Sequence, residues 1–391
     1  MKTADVVIIG GGITGACAAY RLAERGAKNV VLVEQRHIAS GPTGRSSGIV
    51  RQHYTIETLA AMARDSVKVF QNFADEIGGD AGFVQTGVVF LAARDGADAL
   101  KSVVAMHQRI GIRESIISGD DVKKMEPQLD SADIGSAAYE PDGGYADPAL
   151  TANSFIEAAK RMGIEVLTRT RVQSLAIERG RITGVVTEKG SISTRVVINA
   201  AGPWGNTVAA MASVEIPIRP TRHAVVILQR PANWRTPTLT WIDLAAGWYF
   251  KPERNASLMV GSLAEMPGDQ KADIETYSTV PSYEETETYS DATVRRFPVM
   301  IEGLAQGGWA GLYDVTPDSQ PVIDRIPDVD GFICAVGFSG HGFKLGPSTG
   351  RILAELALDG KCSSYDITPF RFGRFQEGKL SHGAYAYGII G

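Results

Sequence analysis

Residues 6–34 read VVIIGGGITGACAAYRLAERGAKNVVLVE, and this stretch decides the fold. Four consecutive apolar residues, Val6 to Ile9, have the length of a buried parallel strand. The run ends in Gly10-Gly11-Gly12-Ile13-Thr14-Gly15, a G-x-G-x-x-G pattern carried by Gly10, Gly12 and Gly15. Ala16, Ala18, Ala19, Leu22 and Ala23 follow, with Arg21, Glu24 and Arg25 placed to face water, which predicts a helix stopped at Gly26. A second apolar run, Val30 to Val33, ends at Glu34. In such a unit the first glycine permits a tight turn, the second lets backbone approach a pyrophosphate, and the third lets helix pack on strand. The helix N-terminus offers N–H groups and partial positive charge to the phosphates. Glu34, 19 residues after Gly15, stands where a carboxylate takes ribose hydroxyls. The pattern implies a dinucleotide site; a glycine-rich turn in some other α/β protein would leave the terminal acid unexplained.

The 391 residues suit two domains rather than one. A hydrophobic content of 44% can fill a large core. The net charge is −5 and no basic run stands out, which argues against a nucleic-acid partner. Cys17, Cys334 and Cys362 are too few and too scattered for a disulfide framework or a metal site, so no metal is expected. Cys17, inside the first helix, reads as a small core residue. The N-terminal apolar run is broken by glycines after four residues, which predicts neither a signal peptide nor a membrane span. A reducing, cytoplasmic location is the resulting expectation.

Residues 39–54 begin rich in Gly, Pro and Ser and read as a loop crowded with hydroxyls and two arginines, a composition suited to function next to a nucleotide unit. Leu59, Met62, Ala63, Val67, Phe70 and Phe73 predict a helix over 57–77. A strand over 84–92, helices over 95–110 and 120–125, a turn-rich loop over 139–147, a helix over 148–162 and a strand over 165–167 follow. Three strands, 172–177, 182–188 and 191–196, are separated by turns at Gly180 and Gly190. The stretch 196–205, VVINAAGPWG, repeats the grammar of the opening: an apolar strand runs into small residues and a helix over 206–211. Residues 217–330 alternate in the manner of an antiparallel sheet, interrupted by a polar helix over 281–297. The apolar strand 332–336 leads into the loop 337–346 and a helix over 347–358. The expected fold is therefore α/β (α+β overall). A Rossmann-like domain is made from 1–80, 145–215 and 325–391, with an interleaved antiparallel-sheet substrate domain from 81–144 and 216–324.

VVIIGGGITG with Glu34, GRSSGIVRQHY at 44–54, NAAGPWG at 199–205, YDVTPDSQPVID at 313–324 and GFSGHGFKLGPSTG at 337–350 occur in order. Together they resemble the D-amino-acid-oxidase-like flavoproteins, and within them the branch of sarcosine oxidase (monomeric or β-subunit) and dimethylglycine dehydrogenase. The resemblance covers nearly the whole chain, and GFSGHGFK and GRSSGIVRQHY are its specific parts. It implies FAD held in an extended pose. Gly10, Gly12, Ile13, Thr14, Gly15 and Glu34 would hold the pyrophosphate and ribose, with Gln35 and Arg36 near the adenine and Val172 meeting it through backbone. Arg45, Ser46 and Ser47 would lie along the cofactor towards the isoalloxazine, and Ala200, Gly202 and Trp204 beside the ribityl chain. Gly337, Gly340, His341, Gly342, Phe343 and Lys344 would approach the pyrimidine edge, where donors and a cation stabilise the negative charge of reduction.

The same resemblance implies a small amino-acid substrate, secondary or N-methylated, whose C–N bond is oxidised by hydride transfer to flavin N5 with hydrolysis of the imine. Arg51 and Lys344 match the positions that meet its carboxylate, Tyr249 and Tyr313 match positions that cap or orient it, and His53 is a weaker catalytic candidate. An Arg offers a bidentate fork to a carboxylate and a Lys a point charge. The flavin is expected to be non-covalent, because Gly311 stands where covalent sarcosine oxidases carry the flavin-bonded Cys. Met259 falls where monomeric sarcosine oxidase has an oxygen-activating Lys, so oxygen is expected to be a slow acceptor and another redox carrier is the alternative. Two other assignments are a flavin-bearing β-subunit of a sarcosine or proline dehydrogenase or oxidase complex, and a D-amino acid or glycine oxidase-like enzyme. A partner subunit or a homo-oligomer goes with the first. A nicotinamide-dependent dehydrogenase would have no use for GFSGHGFK as a second cofactor-facing loop.

Overall fold

The structure, a computed structural model, describes residues 2–234, 239–266, 272–385 and 387. The remaining positions, which touch the expected segments 1–80, 216–324 and 325–391, lie outside the described residues. The opening stretch folds as read: strand Val6–Ile9, helix Ile13–Glu24, strand Val30–Val33. These strands join a six-stranded sheet in the order Val322–Arg325, Phe332–Val336, Val197–Asn199, Val6–Ile9, Val30–Val33, Glu165–Leu167. Every pairing is parallel except the first, at the Val322–Arg325 edge.

A parallel sheet covered on both faces needs apolar residues at every position, because successive side chains point to opposite sides. Val6 and Ile8 accordingly enter one core, Val7 and Ile9 the other. The first core is closed by helices Ile13–Glu24, Glu57–Gln71, Pro148–Arg161 and Gly342–Leu358. The second is closed by a four-stranded sheet of Lys2–Thr3, Gly190–Ser193, Arg181–Thr187 and Val172–Glu178.

An eight-stranded sheet runs Leu304–Val315, Arg219–Gln229, Ser257–Ser262, Trp248–Glu253, Thr240–Asp243, Val88–Ala93, Ile134–Glu140, Ser115–Ile117. It is antiparallel apart from the parallel pair Thr240–Asp243 with Val88–Ala93, so the wholly antiparallel expectation is corrected at that one joint. One face packs on Tyr289 of helix Tyr283–Arg296 and on Phe297 just after it. The other presents Tyr249, Met259, Val225 and Phe90.

Three local expectations are also corrected. The helix expected over 57–77 breaks at Asn72 into Glu57–Gln71 and Phe73–Ile77. The region read as a loop at 139–147 carries the end of strand Ile134–Glu140, and Gly144–Tyr145 pairs with Ile49–Val50. The last long helix begins at Gly342 rather than 347, and keeps Pro347 inside it. Proline there lacks the N–H of one helical hydrogen bond, but the first turns are buried against the first helix. Among the described residues no helix is long and apolar enough to cross a membrane.

Candidate active site

At the carboxyl end of Val6–Ile9 the chain turns through Gly10, whose φ of 111° suits glycine and whose Cβ would meet the Ala200 carbonyl oxygen at 2.4 Å. A Cβ at Gly15 would stand 2.0 Å from the Gly10 carbonyl oxygen, so helix and strand approach this closely only with glycine. Thr43 Oγ1 accepts from the Ile13 amide at 3.0 Å, tying the loop after Glu34 to the helix N-terminus. Glu34 accepts from the Gly11 amide and the Arg36 amide, both at 2.7 Å.

A cavity opens over this turn, outside the carboxyl ends of the parallel strands, where such sheets bind ligands. Its lining joins Gly10, Gly12, Ile13 and Thr14 to Glu34, Gln35 and Arg36, and these to Arg45, Ser46, Ser47 and Val172. Ala200, Gly202, Trp204, Gly340, Gly342, Phe343, Tyr249 and Tyr313 complete the expected residues found there. Gly15, Gly337, His341, Lys344, Arg51 and His53 are not in that lining. Bare backbone at the glycine turn, a helix N-terminus, a carboxylate at the second strand and small residues along the wall are the features an extended dinucleotide needs. The residues present therefore fit FAD.

Behind Gly342 and Phe343, Lys344 is buried, and desolvation together with the Arg51 charge holds its ammonium well below the ordinary lysine range. No carboxylate lies within ion-pair distance of Lys344 among the described residues. Arg51 is buried too; its Nη1 donates to the His53 carbonyl, and its guanidinium sits 4.2 Å from the centre of the Tyr54 ring. Burial pushes Tyr249 up to about 12 against its hydrogen bonds with Ser47 and Tyr313. Burial, then the neighbouring Tyr249, raises Tyr313 well above the usual phenol range. Both phenols are therefore protonated donors at neutral pH. Burial, Lys344 and Arg51 lower His341 to about 3, with Nε2 3.0 Å from the Ser319 carbonyl oxygen.

Residues 5–356 match the FAD dependent oxidoreductase (DAO) family. The chain belongs to this family. It is 32% identical to the crystal structure of L-proline dehydrogenase from P. horikoshii, with a TM-score of 0.89, over 97% of this chain and 100% of that one. It is 26% identical to sarcosine oxidase subunit beta of Rhodobacter capsulatus over 99% of this chain and 92% of the relative. It is 28% identical to human mitochondrial sarcosine dehydrogenase over 94% of this chain, but spans only 42% of that relative's length. The glycine oxidase of Geobacillus kaustophilus, 24% identical with a TM-score of 0.83 over 96% of this chain and 99% of that one, shares the fold. The chain is thus an FAD-dependent oxidoreductase.

In this FAD-dependent oxidoreductase three residues in or beside the cavity lining escaped the sequence reading. His223 lies opposite Gly311 in the strand register and lines the cavity. It stacks on Tyr313 with ring centres 3.9 Å apart, and its Nε2 is 3.1 Å from Thr221 Oγ1. Burial, then Arg219 and Arg222, lower it to about 3, so it is a neutral imidazole. Alternation along 219–229 could have pointed His223 to one face, but only pairing with Gly311 brings it here. Asp314, raised to about 6 by burial, accepts from the Gly337 amide at 2.7 Å and so fixes the start of the GFSGHGFK loop. Glu275 binds Trp204 Nε1 at 2.9 Å and pairs with Arg36 at 3.3 Å, across the nucleotide end of the cavity.

His53 is turned away from the cavity lining. Its Nδ1 is 2.6 Å from Glu114 and its Nε2 2.8 Å from the Tyr385 hydroxyl. Glu114 also takes His107 Nδ1 at 2.5 Å. His53, His107 and Glu114 are the one group with metal-ligand spacing among the described residues, and their ring nitrogens already have hydrogen-bond partners. Met259 lies across the sheet from Lys251 and packs with Tyr249 and Ile49.

Proposed function

We propose that this enzyme oxidises the C–N bond of a small amino acid, secondary or N-methylated, with sarcosine as the simplest example. The observation that carries the reading is that Arg51 and Lys344 are both buried and that the Arg51 charge acts on the Lys344 ammonium, Lys344 following directly on Gly342 and Phe343 of the cavity lining. A buried basic group is stabilised by an anion brought beside it. A substrate carboxylate is that anion, taken by Arg51 through its fork and by Lys344 as a point charge. Tyr249 and Tyr313, protonated and linked to each other, present hydroxyls beside the same wall and orient the amine end. FAD, when bound, supplies the acceptor for the hydride that leaves the substrate carbon. An amine bound neutral needs no protein base for that departure, and water then hydrolyses the imine. The protein's part is to bind, orient and exclude competing water. The names of the relatives, sarcosine dehydrogenase, sarcosine oxidase subunit beta and L-proline dehydrogenase, support a secondary amine.

The test is anaerobic bleaching of the flavin absorbance by a panel of sarcosine, dimethylglycine, L-proline, glycine and D-alanine beside methylamines that lack a carboxylate. Bleaching by a secondary or N-methylated amino acid and not by the amines is expected. Equal bleaching by the amines, or none by any amino acid, would sink the reading. A second reading, that the chain is the flavin-bearing subunit of a larger assembly, is favoured by its match to 92% of a protein named as a subunit beta. A stoichiometric second polypeptide after purification from the native source would support it; a monodisperse active single chain would not.

A further inference from the structure

The reading above makes Arg51 a ligand of the substrate carboxylate, and the following inference rests on it. Arg51 opens an irregular turn, 51–55, between strand Ile49–Val50 and helix Glu57–Gln71. A turn without secondary structure needs partners for its buried backbone groups. Here the amides of Gln52 and His53 find theirs in a single carboxylate on another element. Glu140, at the end of strand Ile134–Glu140, is wholly buried. Its two oxygens accept from the Gln52 amide at 2.9 Å each, from Gln52 Nε2 at 3.1 Å and from the His53 amide at 3.2 Å. The far side of the turn is held by the neighbouring pair: His107 Nε2 lies 2.7 Å from the Tyr54 carbonyl oxygen, and His107 Nδ1 is anchored on Glu114.

Arg51 leans on the same few groups. Its Nη1 donates to the His53 carbonyl and its guanidinium lies over the Tyr54 ring. We propose that Glu140 is a positioning residue for substrate recognition: by gripping the two amides that follow Arg51, it aims the guanidinium at the substrate carboxylate. The grip is through N–H groups alone. Among the described residues Glu140 forms no ion pair, so it steers Arg51 without neutralising the charge the substrate needs. A carboxylate accepting several N–H bonds holds a turn more firmly than a neutral acceptor does. Burial, then the Glu114 charge, raise Glu140 to about 7, and the hydrogen bonds from Gln52 pull the other way.

Glu140→Gln keeps the size of the side chain and turns one acceptor into an amide that faces the Gln52 N–H. With FAD still bound, the expected result is a rise of about tenfold in KM for the amino acid with kcat within about twofold, the signature of lost uniform binding. The same variant should leave the slow turnover of a carboxylate-free amine unchanged, which a general loosening of the site would not. Unchanged KM, or equal damage to amine and amino acid, overturns the proposal. If Glu140→Gln fails to fold, Gln52→Ala decides: it removes only the Nε2 bond, and should raise KM for the amino acid by about twofold to threefold while sparing the amine. The two readings fail separately. Parent enzyme that no amino acid bleaches sinks the substrate assignment, whereas normal bleaching by the parent with an unaffected variant sinks the role of Glu140 alone.

Discussion

Lys344 and Arg51 come from opposite ends of the chain, and the Arg51 charge, after desolvation, helps to depress the lysine's proton affinity. Each is buried, and one stands at the start of a helix while the other opens a turn. Removing one partner from a buried, hydrogen-bonded pair of opposite charges, here Arg51 and the proposed substrate carboxylate, costs roughly 2–5 kcal/mol, and about 1.4 kcal/mol is a factor of ten. Arg51→Ala should therefore lower kcat/KM for the amino acid by roughly one and a half to three and a half orders of magnitude with FAD retained. Kinetics on an amino acid and on the matching amine, for both proteins, check this. Equal loss on the amine would make Arg51 a structural residue.

Gly12 and Gly15 should fail in different ways. A side chain at Gly12 points towards Thr43 Oγ1, 3.0 Å from its Cβ, in the cavity floor, whereas at Gly15 it meets backbone at 2.0 Å. Gly12→Val is expected to fold but purify colourless. Gly15→Ala is expected to lose stability by about 1–3 kcal/mol or more through overpacking. Thermal unfolding and the flavin-to-protein absorbance ratio separate the two, and a yellow Gly12→Val would remove the dinucleotide assignment.

The flavin should leave on denaturation. Gly311 carries no nucleophile, a Cβ there would stand 3.0 Å from Arg45 Cβ, and the cavity lining contains no cysteine. Acid precipitation is expected to release the colour to the supernatant. Colour retained on a peptide bearing His223 would identify a tether at the one lining histidine.

His223 should make the fold acid-sensitive. Its folded value of about 3 lies below an unfolded value of about 6.5, so the unfolded chain binds the proton first. The neutral ring contributes stability that is whole above about 6.5 and is lost as pH falls towards 3. Between these limits one such histidine gives a slope of about 1.4 kcal/mol per pH unit. Urea unfolding between pH 6 and 4 should show His223→Gln with a shallower loss than the parent; parallel lines would mean the imidazole is not held neutral.

Oxygen should reoxidise the enzyme more slowly than an artificial dye. Met259 offers a thioether, and the nearby Lys251 ammonium is already paired with Glu253 and placed 4.6 Å from the Tyr145 ring centre. Peroxide formation at the dye-coupled rate would refute this.

What the sequence by itself determined was carried by its strongest short-range patterns. The run VVIIGGGITG forms strand, turn and helix because its apolar length, its glycines and its helix spacing all act within a few residues. The same holds for strands Glu165–Leu167 and Phe332–Val336, read to the residue. Boundaries slipped where long-range packing overrode local preference, as at Gly342, where burial against the first helix carries the last helix past Pro347. Tertiary structure alone decided which side chains meet. His223 reaches the cavity through its register with Gly311, and a slip of one residue would have turned it to the other face. Glu140 grips the turn after Arg51, and His53 faces Glu114 and Tyr385 rather than the cavity lining. Such meetings depend on sheet order and strand register, which place residues far apart in the chain side by side and leave no mark in the local pattern of either.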